Sequence, residues 1–192
     1  MDYWYTAKET YDSSYGMDGL SWAKYIEFSR LTQLVELVSL DGMLNETAFE
    51  PDRGDPGDWD FIITDDFYET GLFNSLDYVL EKVKEKSVFN LLTVIKEPFE
   101  PCEGIQISEF EFVGYELLDR DYSTSALSNC GGFDNTFSNS ELNKFGLIDT
   151  FDKAFDIRNR LLINNPEEHH ADCNVFGLWR HKEIGRLKNA SR

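Results

Sequence analysis

Residues 90–96, NLLTVIK, form a near-continuous apolar run of strand length, and the EPFEP that follows breaks it. Two further stretches alternate between apolar and polar residues. EFEFVGYELL (109–118) does so through Phe110 and Phe112, with Gly114 placed for a bulge, and CNVFGLWR (173–180) supplies a late strand. WDFIIT (59–64) reads as a shorter one.

Helical periodicity occupies other parts of the chain. Leu72, Leu76, Val79, Leu80 and Val83 form an apolar stripe that predicts a helix capped at Asn74 or Ser75 and running to Lys86. Lys82, Lys84 and Lys86 suit its C-terminal dipole. A second helix spans about Thr150 to Ile163, capped by Asp149 or Thr150 and ended by Asn164-Asn165-Pro166. Phe151, Ala154, Phe155, Ile157 and Leu161 fill its buried side. Leu31, Leu34, Val35 and Val38 predict a third from Ser29 to Leu40, with a start as early as Trp22 and a stop at Asp41-Gly42.

Residues 1–19 show no period and read as an aromatic and acidic arm, while 123–143 read as a long polar loop. The resulting expectation is α+β: one domain over 1–192, a mixed or mainly antiparallel sheet, and two to three amphipathic helices packed on one face. A chain of 192 residues buries roughly 70% of its unfolded surface, and 41% apolar and 15% aromatic residues supply the core without disulfides. The three cysteines, Cys102, Cys130 and Cys173, make an odd count with no CxxC pair. The start MDYWYTAKET lacks a basic segment followed by an apolar one, and no apolar run nears the roughly 20 residues of a membrane span. A reducing cytoplasm is the expected location.

Charge narrows the function. The net charge is −18, distributed unevenly. Residues 1–60 hold thirteen Asp/Glu against four Lys/Arg (−9), 61–120 thirteen against five (−8), and 121–192 ten against nine (−1). The tail, 181–192 with Arg180 before it, is locally basic. Such a field disfavours nucleic acid and anionic membranes and favours cationic proteins.

Three constellations carry candidate chemistry. In NPEEHHADC (165–173), His169 or His170 with Cys173 and a distant Cys130 offers zinc-type donors. Adjacent histidines do not easily converge on one ion, however, and Cys173 at a strand start points to the core. No metal or cofactor is therefore expected, and the segment reads as a capped turn with one surface histidine and one buried cysteine.

LSNCGGF (127–133) supplies the order of a thiol hydrolase: Cys130 as nucleophile, His169 or His170 as base, Asp172 as orienter. NCGGF resembles the DCSG-type nucleophile segment of papain-like cell-wall peptidases, although the histidine there begins a strand and here it falls in a turn.

DRGDPGDWD (52–60) gathers Asp52, Asp55, Asp58 and Asp60 around Trp59 without the spacing of a calcium loop, and Asp65 and Asp66 follow. Aromatics interleave with acids again at Tyr3, Trp4 and Tyr5. Rigid aromatic anchors ringed by carboxylates are the composition of an interface that steers a basic partner. The functional expectation is an acidic module that neutralises a basic protein, in the manner of an immunity protein or antitoxin. The alternatives are the thiol hydrolase and a regulatory domain without catalytic activity.

Overall fold

The run at 90–96 has apolar partners on both of its faces and becomes the middle of a sheet. The structure, a computed structural model, describes residues 2–13, 21–52, 55–64, 71–128 and 136–185. In chain order its elements are β1 (Trp4–Lys8), β2 (Tyr11–Asp12), α1 (Trp22–Ser29), β3 (Glu36–Leu37), α2 (Pro56–Trp59), β4 (Ile62–Thr64), β5 (Leu72–Phe73), α3 (Leu76–Lys82), β6 (Asn90–Lys96), β7 (Phe110–Asp119), α4 (Phe151–Asn164) and β8 (Cys173–His181). Short 3-10 turns lie at Cys102–Gly104, Asn139–Glu141 and His169–Ala171.

Six strands form one sheet in the order β4-β5-β1-β6-β8-β7, and β2 and β3 pair separately. Every strand pairing among the described residues is antiparallel. Side chains alternate across this sheet as the pleat requires. Ala7, Leu91, Ile95, Tyr115, Leu117, Val175 and Trp179 face one side, where Tyr25 of α1, Tyr78 and Val79 of α3, and Ala154, Ile157 and Leu161 of α4 cover them. Leu92, Val94, Leu118, Phe176 and Leu178 face the other side, covered by Val38, Leu40 and Leu147 from loops. The α+β architecture with helices on one face is what the sequence patterns imply.

The expected bulge in β7 is present. The register with β8 shifts between Phe112 and Gly114, and Gly114 adopts φ 140°. A Cβ there would sit 2.6 Å from the Leu147 Cβ, so only glycine fits. Ser75 caps α3 by accepting from the Tyr78 N–H at 3.3 Å. Thr150 holds the N-cap position of α4 without a side-chain bond, and Asp149 accepts from Asn143 Nδ2 instead.

Two expectations shift their bounds: α3 ends at Lys82 rather than Lys86, with Leu72 of its predicted stripe in β5, and the strand read at 59–64 is only Ile62–Thr64, Trp59 belonging to α2. Two others fail. The helix predicted for Ser29–Leu40 lies earlier, at Trp22–Ser29, where Arg30 ends it in the left-handed conformation (φ 58°). Residues 31–34 form a turn closed by Leu34 N–H to Leu31 O, and beyond it the chain carries the short strand β3, with amides that find tertiary partners: Val35 N–H donates to Lys144 O and Val38 N–H to Phe145 O. The helical spacing arises because this segment wraps the sheet, giving Leu34 and Leu37 to the helix side, Val38 and Leu40 to the other, and leaving Val35 exposed. The supposed arm contains β1, an interior strand between β5 and β6. Its WYTAK composition hides the alternation because Thr6 and Lys8 are buried polar residues. Lys8 Nζ donates to Thr47 Oγ1 at 3.3 Å.

A polar core lies beside the loop-covered face. Glu116, on β7, accepts from Leu40 N–H at 2.6 Å and from Ser39 Oγ at 2.5 Å. Asp41, fully buried, accepts from the amides of Met43, Leu44 and Ser125. Arg180 belongs to this buried layer rather than to the basic tail. It is 2% exposed, and its guanidinium bonds Glu36 and Glu111 beneath the Phe145 ring. Residues 186–192 of that tail lie outside the described residues.

Candidate functional site

The strand ends of β7 and β8 meet where Asp119 pairs with Cys173. Alternation along β7 gives Asp119 the same phase as Tyr115 and Leu117, so a carboxylate is carried into a core-facing position. It is fully buried there and needs partners. Ser123 supplies two, its N–H at 2.8 Å to Oδ1 and its Oγ at 3.0 Å to Oδ2. The third is His170, whose Nδ1 lies 2.8 Å from Asp119 Oδ2.

The 3-10 turn after α4 brings His169 to the same corner. Its Nε2 lies 3.0 Å from Asp121 Oδ2, and its ring stands edge-on to that of His170, with centroids 5.3 Å apart and an interplanar angle of 85°. One ligand-type atom from each of Asp119, His169 and His170 falls within 4.8 Å of the others. The carboxylate that orients a histidine is thus Asp119, which the motif reading did not single out. Its strand phase was the available signal: an acid on the core-facing beat of an apolar strand requires a buried partner.

Asp172, expected as that orienter, instead pairs with Arg120 Nε at 2.8 Å. Cys173 is buried, as expected of a cysteine at a strand start, and its thiol donates to the His170 carbonyl at 2.9 Å. Cys130, the nucleophile of the hydrolase reading, lies outside the described residues. Cys102 is also buried, and burial pushes its thiol up to about 11, a poor nucleophile near neutral pH.

The acidic segment 50–60 divides into structural and exposed carboxylates. Asp55 caps α2 by accepting from Gly57 N–H at 2.8 Å, with Pro56 in the first helical position. Asp58 is buried, accepts from Asp52 N–H at 2.8 Å, and pairs with Lys82 Nζ at 2.7 Å. Burial works against its charged form, but the Lys82 and Asp52 donors outweigh it, so its carboxyl lies below the usual range. Asp58 therefore fastens α2 to α3. Asp52, Asp55 and Asp60 remain exposed around Trp59, which is itself 46% exposed. Asp65 and Asp66 lie outside the described residues.

The three N-terminal aromatics separate in the same way. Trp4 packs on Tyr122 and Phe176 with ring centroids 6.4 and 6.3 Å away, and Lys96 Nζ sits over its ring. Tyr5 packs against the helix-side core, and Tyr3 is exposed. Elsewhere, the polar segment that leads out of the long loop lines a cleft of about 480 Å³ with Arg30, Thr136, Asn139, Glu141 and Arg160. Arg160 is already engaged there by Glu141 and Asp156.

No helix among the described residues is long and apolar enough to cross a membrane. No protein-family model, no curated protein and no solved structure matches this chain.

Proposed function

We propose that the protein is an acidic binding module that occludes the cationic surface of a basic protein partner, as an immunity protein or antitoxin does. The observation that carries this reading is Trp59, an exposed indole on α2 with exposed carboxylates at Asp52, Asp55 and Asp60 on the same short segment. An exposed tryptophan supplies rigid contact area, and charges of −9 and −8 over residues 1–60 and 61–120 steer a basic partner toward it. Tyr3 is a second exposed ring on the N-terminal side. The test is a pull-down from the native lysate at low and then high salt, using wild type and an Asp52→Lys, Asp55→Lys, Asp60→Lys variant. A basic protein that salt releases from wild type and that the variant fails to retain supports the reading. Equal retention by both at low salt overturns it.

A second reading rests on the Asp119–His170 pair. A histidine held at Nδ1 by a buried carboxylate keeps Nε2 for proton transfer, the arrangement of a general base. Were Cys130 its nucleophile, alkylation of that thiol would proceed well below the unperturbed thiol pKa of about 8.5 and would slow in His170→Ala. Alkylation that rises only near that value, identically in both proteins, removes the hydrolase reading.

A further inference from the structure

We propose that Asp119, His169 and His170 form a site for one transition-metal dication of the zinc class. Its three protein ligands leave a coordination position open to water. The donor set, two imidazoles and a carboxylate, is the kind that holds zinc, iron or nickel and is a poor match for calcium or magnesium, which take oxygen ligands. The sequence objection was that neighbouring histidines diverge. Here the 3-10 turn sets the two rings 5.3 Å apart, and β7 delivers Asp119 to them.

Ligands around one zinc ion stand about 3.3 Å apart, given metal–ligand bonds of about 2.0–2.1 Å. The present spread of up to 4.8 Å closes by rotation of His169, whose side chain is 63% exposed. Nδ1 of His170 and Oδ2 of Asp119, 2.8 Å apart as hydrogen-bond partners, would separate by about 0.5 Å as the ion replaces their shared proton, while Ser123 keeps its bonds to both carboxylate oxygens.

Two further observations favour an ion. Asp121 occupies Nε2 of His169, which leaves Nδ1 as the donor and fixes that tautomer, as an outer carboxylate does at many histidine–metal sites. Among the described residues neither Asp119 nor Asp121 has a Lys or Arg partner, so the corner holds two carboxylates whose side-chain partners there are imidazoles and a serine. A dication supplies the missing positive charge. The Cys173 thiol stays outside the site, buried and bonded to the His170 carbonyl.

The experiment uses untagged, chelator-treated protein titrated with Zn²⁺ by calorimetry and with Co²⁺ by visible absorption. The expected result is one ion per chain, bound at micromolar Kd or tighter. His169→Ala and His170→Ala should each weaken binding more than tenfold, and Asp121→Asn about tenfold, the effect typical of an outer-shell partner. A triple Asp52→Asn, Asp55→Asn, Asp60→Asn variant should bind as wild type, which separates this site from diffuse attraction to an acidic surface. Because His169 is exposed, its variant should keep the wild-type melting temperature. Millimolar affinity, several equivalent ions per chain, or wild-type affinity in His169→Ala would overturn the proposal.

Discussion

Replacing Glu116 with Gln should become more favourable to stability, relative to wild type, as pH rises from 5 to 8. Glu116 is 1% exposed on β7, and burial is the largest influence on it. Burial raises its carboxyl from 4.5 to about 7, against the lowering effect of the bonds from Ser39 and Leu40, and the neighbouring Asp41 adds to the rise. A group whose folded pKa is raised contributes fully below its unfolded value and loses that contribution as pH climbs to the folded one. At about 1.4 kcal/mol per pH unit, the interval from 4.5 to about 7 is worth about 3 kcal/mol. Of this, about 2–3 kcal/mol is lost between pH 5 and pH 8.

Glutamine is neutral throughout and keeps an oxygen to accept from Leu40 N–H. Other titrating groups, Asp58 and Glu141 among them, are lowered and stabilise in the opposite sense, but they are common to both proteins. The difference between wild type and Glu116→Gln therefore isolates one carboxyl. Urea unfolding followed by tryptophan fluorescence at intervals from pH 5 to 8.5 measures it. The Gln variant should gain on wild type by about 2–3 kcal/mol across that range. Parallel profiles would show that Glu116 ionises at an ordinary pH in the fold, and the desolvation argument would fail.

Other perturbations bear on the remaining features. Lys82→Ala leaves Asp58 buried without its cation and should cost about 1–2 kcal/mol in urea unfolding, less than a fully buried pair because Lys82 is partly exposed. Gly114→Ala combines φ 140° with a 2.6 Å clash at Leu147 and should cost about 2–3 kcal/mol, read as a lowered melting temperature. The charge-reversed loop variant should lose its salt-sensitive partner, and the histidine variants their zinc, as set out above.

Much of the sheet was legible because its strands obey one rule. Asn90–Lys96, Phe110–Asp119 and Cys173–His181 lie within a residue of the apolar and alternating stretches that predict them. α4 follows from its stripe, and α3 does over Leu76–Lys82, although Leu72 of its stripe went to β5 and the helix stops short of Lys86. β1 escaped because its polar residues sit inside the fold: Lys8 finds Thr47 across the structure, while the Thr6 hydroxyl is buried without a bonded partner among the described residues, and no local pattern records either. Residues 31–40 misled because spacing of three and four also suits a turn followed by a short strand that serves two cores in turn. At the candidate site the sequence supplied His169 and His170 but not their partners. Asp119 and Asp121 lie about fifty residues earlier and meet them only through the β7–β8 pairing. In the acidic loop the charge count was legible, but the burial of Asp58 depends on Lys82, 24 residues away.

The strand order has a consequence for synthesis on the ribosome. β8 lies between β6 and β7, yet it is translated after both. Until residues 173–181 emerge, the Leu92 and Val94 ladder and the Tyr115 and Leu117 ladder each face a missing neighbour. Each then presents an unpaired apolar edge, the template on which nascent chains stick to one another. While residues 97–181 are being made, the nascent chain therefore carries an open sheet edge, and the charges of −9 and −8 over residues 1–60 and 61–120 disfavour its pairing with another such chain.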